Sequence, residues 1–175
     1  MIFVIIGILL LILAGVGIVI LVKAKRDEID GYYTAAQNIL KEEKLDSLLK
    51  NPYADRTADP GANIKTMVYL KFKDDKNCKY VFNLDREVRI GRDKANNHVC
   101  VNEAAVSSNH CRIFCDRGNV FIQDLNSVNG VEVKRKRTRY FLSPGNTMQL
   151  LANDIIKIGM TRISIVIFCF NYALM

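Results

Sequence analysis

Residues 109–116 read NHCRIFCD and residues 120–125 read VFIQDL, with the turn RGN at 117–119 between them. Cys111, Ile113 and Cys115 alternate with Arg112, Phe114 and Asp116, so a two-residue period sets them on one face of a strand. The reading extends outward in both directions. Upstream lie TMVYLKFK from Thr66, the turn DDKN, CKYVFNLD, REVRIGRD and HVCVNE. Downstream lie the turn NSVNG, VEVKR, RYFLSPG, TMQLL, the turn AND, IIKIGMT and RISIVIFCF. No run keeps a helical period, and short strands cut by polar turns predict an all-β sandwich of two antiparallel sheets over 66–175. ISIVIFCF is apolar on both parities, which predicts a central or closing strand.

The rest of the chain has a different character. Residues 1–22 read MIFVIIGILLLILAGVGIVILV and carry no charge. A helix of that length reaches roughly 33 Å, against roughly 30 Å of bilayer core, so the segment reads as one transmembrane α-helix. A cleaved signal peptide would need basic residues before the apolar run, and here Lys23, Lys25 and Arg26 follow it. The positive-inside rule then makes a single-pass membrane protein with its C-terminal domain cytoplasmic. Residues 23–65 form a partly helical juxtamembrane linker. Ile29, Tyr32, Ala36, Ile39 and Leu40 approach a helical stripe, continued by Leu45, Leu48 and Leu49. Asn51-Pro52 stops it, and ADRTADPGAN is a turn-rich tether. Either the helix packs on a bilayer or partner, or it is a partly ordered spacer.

The 175 residues hold 25 Lys and Arg against 18 Asp and Glu, a net +7. Residues 23–65 carry eight of each sign, so the excess lies wholly in 66–175. An anionic partner should meet that segment. The 15 Phe and Tyr (8 and 7) and the charged fraction exclude a disordered chain. Five cysteines without a Cys-x-x-Cys pair fit a reducing compartment. His98, Cys100, His110, Cys111 and Cys115 could be grouped on paper into a zinc site, but strand alternation turns the cysteines into core positions, and no metal is expected.

Four signposts stand in order along the strands: Gly91-Arg92, then Ser107-Ser108-Asn109-His110, then Asp124-Leu125 with Ser127-Val128-Asn129-Gly130, and finally Asn153-Asp154 before IIKIG. With these, residues 66–169 resemble a forkhead-associated (FHA) domain. The resemblance implies a twisted sandwich of two antiparallel sheets that binds phosphothreonine-containing proteins, the substrates of Ser/Thr kinases, without a cofactor. It implies that Arg92 offers its fork of donors to the phosphate and that Ser107 adds a hydroxyl donor. Ser108 takes the next loop position, where the family often has Arg or Asn with longer reach. Asn129 clamps the peptide backbone, and Val128 stands where Thr is common, contacting ligand through its backbone. His110 braces the loop between Arg92 and Ser107, Ser127 orders its own loop, and Gly91 and Gly130 supply the tight backbone.

Each position also has an ordinary alternative: a solvated Arg92, a turn-forming Ser107, and a plain Asn129-Gly130 hairpin turn. The run KRKRTR at 134–139 places Lys134, Arg135, Lys136, Arg137 and Arg139 just after Gly130. It reads as a solvated hairpin tip, as a basic rim steering acidic phosphopeptides, or as a site for anionic lipid or nucleic acid. Nucleic acid is the weakest of these, because no aromatic residues are interleaved with the run. No acid, base and nucleophile are grouped, so no catalytic residue is assigned and the chain is not expected to be an enzyme. Together these features imply a membrane-anchored phosphopeptide-binding signalling or scaffolding protein. The alternative is a structural subunit whose sandwich docks a protein partner independently of phosphorylation.

Overall fold

A computed structural model describes residues 2–50, 64–75 and 77–171. The chain divides into two compact units, residues 1–35 and 36–175. The first unit is helical and is the leading part of α1 (Ile2–Lys50), which runs through Gly31 without a break. Its apolar side chains are exposed all round, from Leu9 and Leu10 to Leu21 and Val22. The described residues do not support the membrane-crossing helix expected over residues 1–22. Among the described residues no helix is long and apolar enough to cross a membrane.

The second unit carries eleven strands: β1 (Ile64–Phe72), β2 (Lys79–Asn83), β3 (Val88–Gly91), β4 (Val99–Cys100), β5 (Cys111–Asp116), β6 (Asn119–Asp124), β7 (Val131–Arg135), β8 (Thr138–Leu142), β9 (Thr147–Gln149), β10 (Ile155–Ile158) and β11 (Thr161–Asn171). A six-stranded sheet runs β2-β1-β11-β10-β7-β8, and a five-stranded sheet runs β4-β3-β5-β6-β9. The all-β sandwich is as the alternation predicts. One pairing departs from two antiparallel sheets: β3 and β4 are parallel, with Ile90 opposite Val99. β4 follows an excursion at 92–98 and joins the sheet edge in the same direction as β3.

Between the sheets sit Leu70, Ile90, Ile113, Ile122, Ile156, Ile163 and Ile165, all fully buried. Each contributes roughly 1.5–3 kcal/mol by leaving water. β11 is central, paired with β1 on one side and β10 on the other. Its double apolarity has a second cause that local pattern does not show. Ala36 and Leu40 of α1 pack with Met67, Phe170 and the half-buried Val81 and Phe168, on the sheet face away from the sandwich core. The Glu43 carboxylate accepts a 2.8 Å hydrogen bond from Asn83 Nδ2. Residues 36–43 are therefore neither a spacer nor a free docking helix but a cover on the sheet's own outer face. The tether at 51–63 lies outside the described residues, as do the side chains of Leu45, Leu48 and Leu49.

Candidate phosphopeptide-binding site

Three loops meet at one end of the sandwich, and backbone contacts lace them together. Arg92 N donates to Ser107 O at 2.9 Å, and Asp93 N donates to Ser108 O at 3.2 Å. This approach leaves no room for a side chain before Arg92. A Cβ on Gly91 would lie 2.2 Å from Ser108 O. The expected tight path at Gly91 is thus a steric requirement set by the neighbouring loop. Gly130 answers two demands at once, with φ of +69° and Leu142 O 2.8 Å from where its Cβ would be.

Buried His110 ties the loops from below. Ser107 N donates to its Nδ1 at 3.1 Å, so that nitrogen is the acceptor and Nε2 carries the proton. Nε2–H then donates to Gly130 O at 3.0 Å. One imidazole in one tautomer fixes the β4–β5 loop to the β6–β7 loop, a wider brace than the resemblance implies. Ser127 is buried and orders its loop as expected. Its N–H and hydroxyl donate to the buried Asp124 carboxylate at 2.8 and 2.6 Å, and its Oγ accepts from Gly130 N at 2.9 Å. Residues 127–130 are not a hairpin turn, because β6 and β7 belong to different sheets and this loop crosses between them.

On that frame the exposed groups converge. Ser107 Oγ accepts from Val128 N at 3.0 Å, which leaves its own hydrogen to donate outward. Asn129 Nδ2 donates to Ala105 O at 2.8 Å, so one amide hydrogen holds the loops together, and among the described residues Oδ1 has no donor. Asn129 is exposed, and Val128 is 87% exposed. Ser108 is exposed at the adjoining loop position. The Arg92 side chain is exposed and, among the described residues, makes no ion pair. Other arginines here are committed: Arg112 and Arg89 to Glu87, Arg162 to Asp74, Arg139 to Glu132.

Of the residues expected as a basic rim, Lys134 and Arg139 lie side by side across β7 and β8, and the others do not join them. β7 carries the chain from Gly130 to Arg135, roughly 15 Å along the strand, to the far end of the sheet. Arg135 is taken by the buried Asp154 carboxylate at 2.8 Å and by Gln149 O at 2.8 Å. Asp154 holds the Arg135 guanidinium above the ordinary arginine range. Arg139 lies 3.5 Å from Glu132. Lys136 and Arg137 turn the β7–β8 hairpin, Lys136 with φ of +55°. Lys136 and Arg137 thus lie at the far end of the sheet from Gly130, while the Arg139 side chain comes back along β8 to Glu132, which lines a groove beside Asn129.

Sequence reasoning missed three supports. Asn97 Nδ2 donates to both Asp93 O and Ser108 O, at 2.7 and 2.6 Å. Asp93, whose carboxyl is held low by the Ala95 N–H and the Asn96 amide, shapes the loop after Arg92. Glu103 receives the Met160 N–H at 2.8 Å and the Thr161 hydroxyl, pinning the β10–β11 turn to the β4–β5 loop. Beside Asn129 this leaves a groove of about 340 Å³ that includes Ala105, Phe141, Lys157 and Met160. Of these only Asp93 carried a signal, since an Asp at the start of a short loop commonly caps the backbone N–H two residues on.

Comparison with known proteins agrees with this geometry. Residues 88–159 match the FHA domain family model. An FHA domain-containing protein of Arabidopsis thaliana is 36% identical over 72 residues, which is 41% of this chain and 18% of that protein. The chain thus matches under a fifth of that relative's length. The solution structure of the FHA domain of an Arabidopsis thaliana hypothetical protein superposes with a TM-score of 0.51 at 29% identity, over 57% of this chain and 84% of that one. The crystal structure of the MEK1 FHA domain gives 0.50 at 19% identity, over 68% and 98%, and shares the fold.

Proposed function

We propose that this chain, whose residues 88–159 form an FHA domain, a protein-interaction module, captures phosphothreonine-containing segments of partner proteins. The observation that carries the reading is Arg92. It is an exposed guanidinium without an ion pair among the described residues, anchored by its backbone N–H to Ser107, whose hydroxyl has a donor left to give. A phosphate brings roughly −1.5 to −2 charges, and a guanidinium meets two of its oxygens with parallel donors. Asn129 Oδ1 is available to a peptide N–H, which would fix an extended segment beside the phosphate. Ser108 reaches less far than the longer side chains the family often has there, which favours modest affinity.

The test is titration of the full chain, in detergent, with paired phosphorylated and plain peptides. Binding should require the phosphate and weaken as pH falls through about 6, where the dianion gains a proton. Equal binding of both peptides, unaffected by Arg92→Ala, would replace this reading with phosphate-independent docking of a protein partner.

We also infer that residues 1–22 anchor the chain to a membrane, with the second unit on the cytoplasmic side. The uncharged run, the basic residues directly after it and the exposure of Leu9 through Val22 support an apolar surrounding. Extraction of the chain from neutral vesicles by alkaline carbonate would refute the anchor. Labelling of a C-terminal tag from outside intact cells would refute the orientation.

A further inference from the structure

The strand registers build a feature that linear sequence hides. On the outer face of the six-stranded sheet, Lys79 of β2 lies opposite Lys71 of β1, and Lys71 opposite Ser164 of β11. Ser164 lies opposite Ile155 of β10, Ile155 opposite Lys134 of β7, and Lys134 opposite Arg139 of β8. Four cations from four strands therefore share one row, and alternation directs them away from the core. A second row, two residues on, runs from Arg162 to Lys157, Glu132 and the 75% exposed Phe141. Lys73 joins it by donating its N–H to Arg162 O at 2.8 Å. Seven cations thus occupy two rows; Glu132 pairs with Arg139 and Lys157, and Asp74 with Arg162. The part of this outer face around Met67 and Phe170 is covered by Ala36 and Leu40. In the basic part Lys79, Lys134 and Arg139 are exposed.

We propose that this basic half-face docks onto an anionic membrane surface. A bilayer interface suits a flat cation array around one exposed aromatic: lysines and arginines meet lipid phosphates while Phe141 enters the headgroup layer. A single-stranded nucleic acid would need successive stacking rings, and Phe141 is the one exposed aromatic of these two rows. The proposal rests on the anchor reading only for the nearness of a bilayer, and the two can fail separately.

The sequence has no tryptophan, so Phe141→Trp installs a single reporter on the face. The full chain carrying it would be reconstituted into vesicles of neutral phosphatidylcholine, or of phosphatidylcholine with phosphatidylserine. The expected result is a blue shift of Trp fluorescence in the anionic vesicles alone, reversed by high salt. Adding Lys79→Ser, Lys134→Ser and Arg139→Ser, all exposed, should lower the docked-to-free ratio about five-fold per charge, roughly a hundredfold together. Their thermal transition should match the parent's, which separates lost docking from lost folding. Identical spectra in neutral and anionic vesicles would overturn the proposal. So would a shift produced equally by poly(U) at matched charge, which would make the partner a nucleic acid. If carbonate extracts the chain from neutral vesicles while the anionic shift persists, docking stands and the anchor falls.

Discussion

Arg92 and Arg135 stand at opposite ends of one sandwich and are used in opposite ways. Arg135 reaches back to Asp154, a carboxylate only 1% exposed, and satisfies it with the help of the Leu151 N–H. Arg92 fixes its backbone to Ser107 and leaves its side chain without an ion pair among the described residues. The first is structure, because a buried charge is tolerated only when paired. The second has its donors directed to solvent at the junction of three loops, and it suits a ligand. What an arginine does here follows from the presence of a carboxylate, not from the density of charge around it in sequence.

Breaking either arginine should separate stability from recognition. Arg135→Ala strands Asp154 and should cost about 3 kcal/mol, lowering the melting temperature by about 12 °C or more, with phosphopeptide affinity unchanged. Arg92→Ala should leave melting nearly untouched and weaken phosphopeptide binding from roughly tenfold to over a hundredfold, the loss of one charge-assisted bond. Arg92→Lys should recover part, since an ammonium lacks the bidentate fork. Calorimetry and titration on the same variants decide both. If Arg135→Ala abolished binding in a folded protein, the division between the two ends would be false.

His110→Leu comes next and should blur the division. It leaves Ser107 N–H and Gly130 O without their partner, and the net cost should be about 2 kcal/mol. Because both groups belong to the loops of the site, affinity should fall as well. A stability loss with intact affinity would show that the loops hold their positions without the imidazole.

The strands were legible because alternation is local, and each of the eleven described strands overlaps one of the runs quoted from Thr66 on, β1 beginning two residues earlier at Ile64. Gly91 and His110 were legible through their spacing within a known motif. What stayed hidden depends on contacts distant in sequence. Nothing in residues 36–43 says that Ala36 and Leu40 will cover Met67 and Phe170, since any amphipathic helix shows the same stripe. Asn97 is one polar loop residue among several until the Ser108 carbonyl arrives beside it. Proximity in sequence also misled. Arg135, Lys136 and Arg137 closely follow Gly130 in sequence, but β7 is extended and carries the chain to the other end before β8 turns back.

Ser107→Ala should produce a smaller effect within the recognition end. It removes one neutral donor to the phosphate and the acceptor for Val128 N–H, so affinity should drop about tenfold while stability changes by less than about 1 kcal/mol. Unchanged affinity would leave Ser107 with only its loop-ordering bond.

The smallest expected effect tests the distance between the two ends. Lys136→Ser with Arg137→Ser removes two charges from the hairpin turn, beyond the end of β7 and roughly 15 Å or more from Gly130. At physiological ionic strength the Debye length is about 8 Å, so these charges are largely screened at the phosphate position. Phosphopeptide affinity at that salt should therefore change by less than about twofold. At about 0.01 M salt the Debye length grows to about 30 Å, and the same substitutions should then slow association measurably while leaving dissociation alone. Stopped-flow titration at the two salt concentrations reads both rates. A large affinity loss at physiological salt would place the peptide across the far end of the sheet, and the assignment of recognition to Arg92, Ser107 and Asn129 would fail with it.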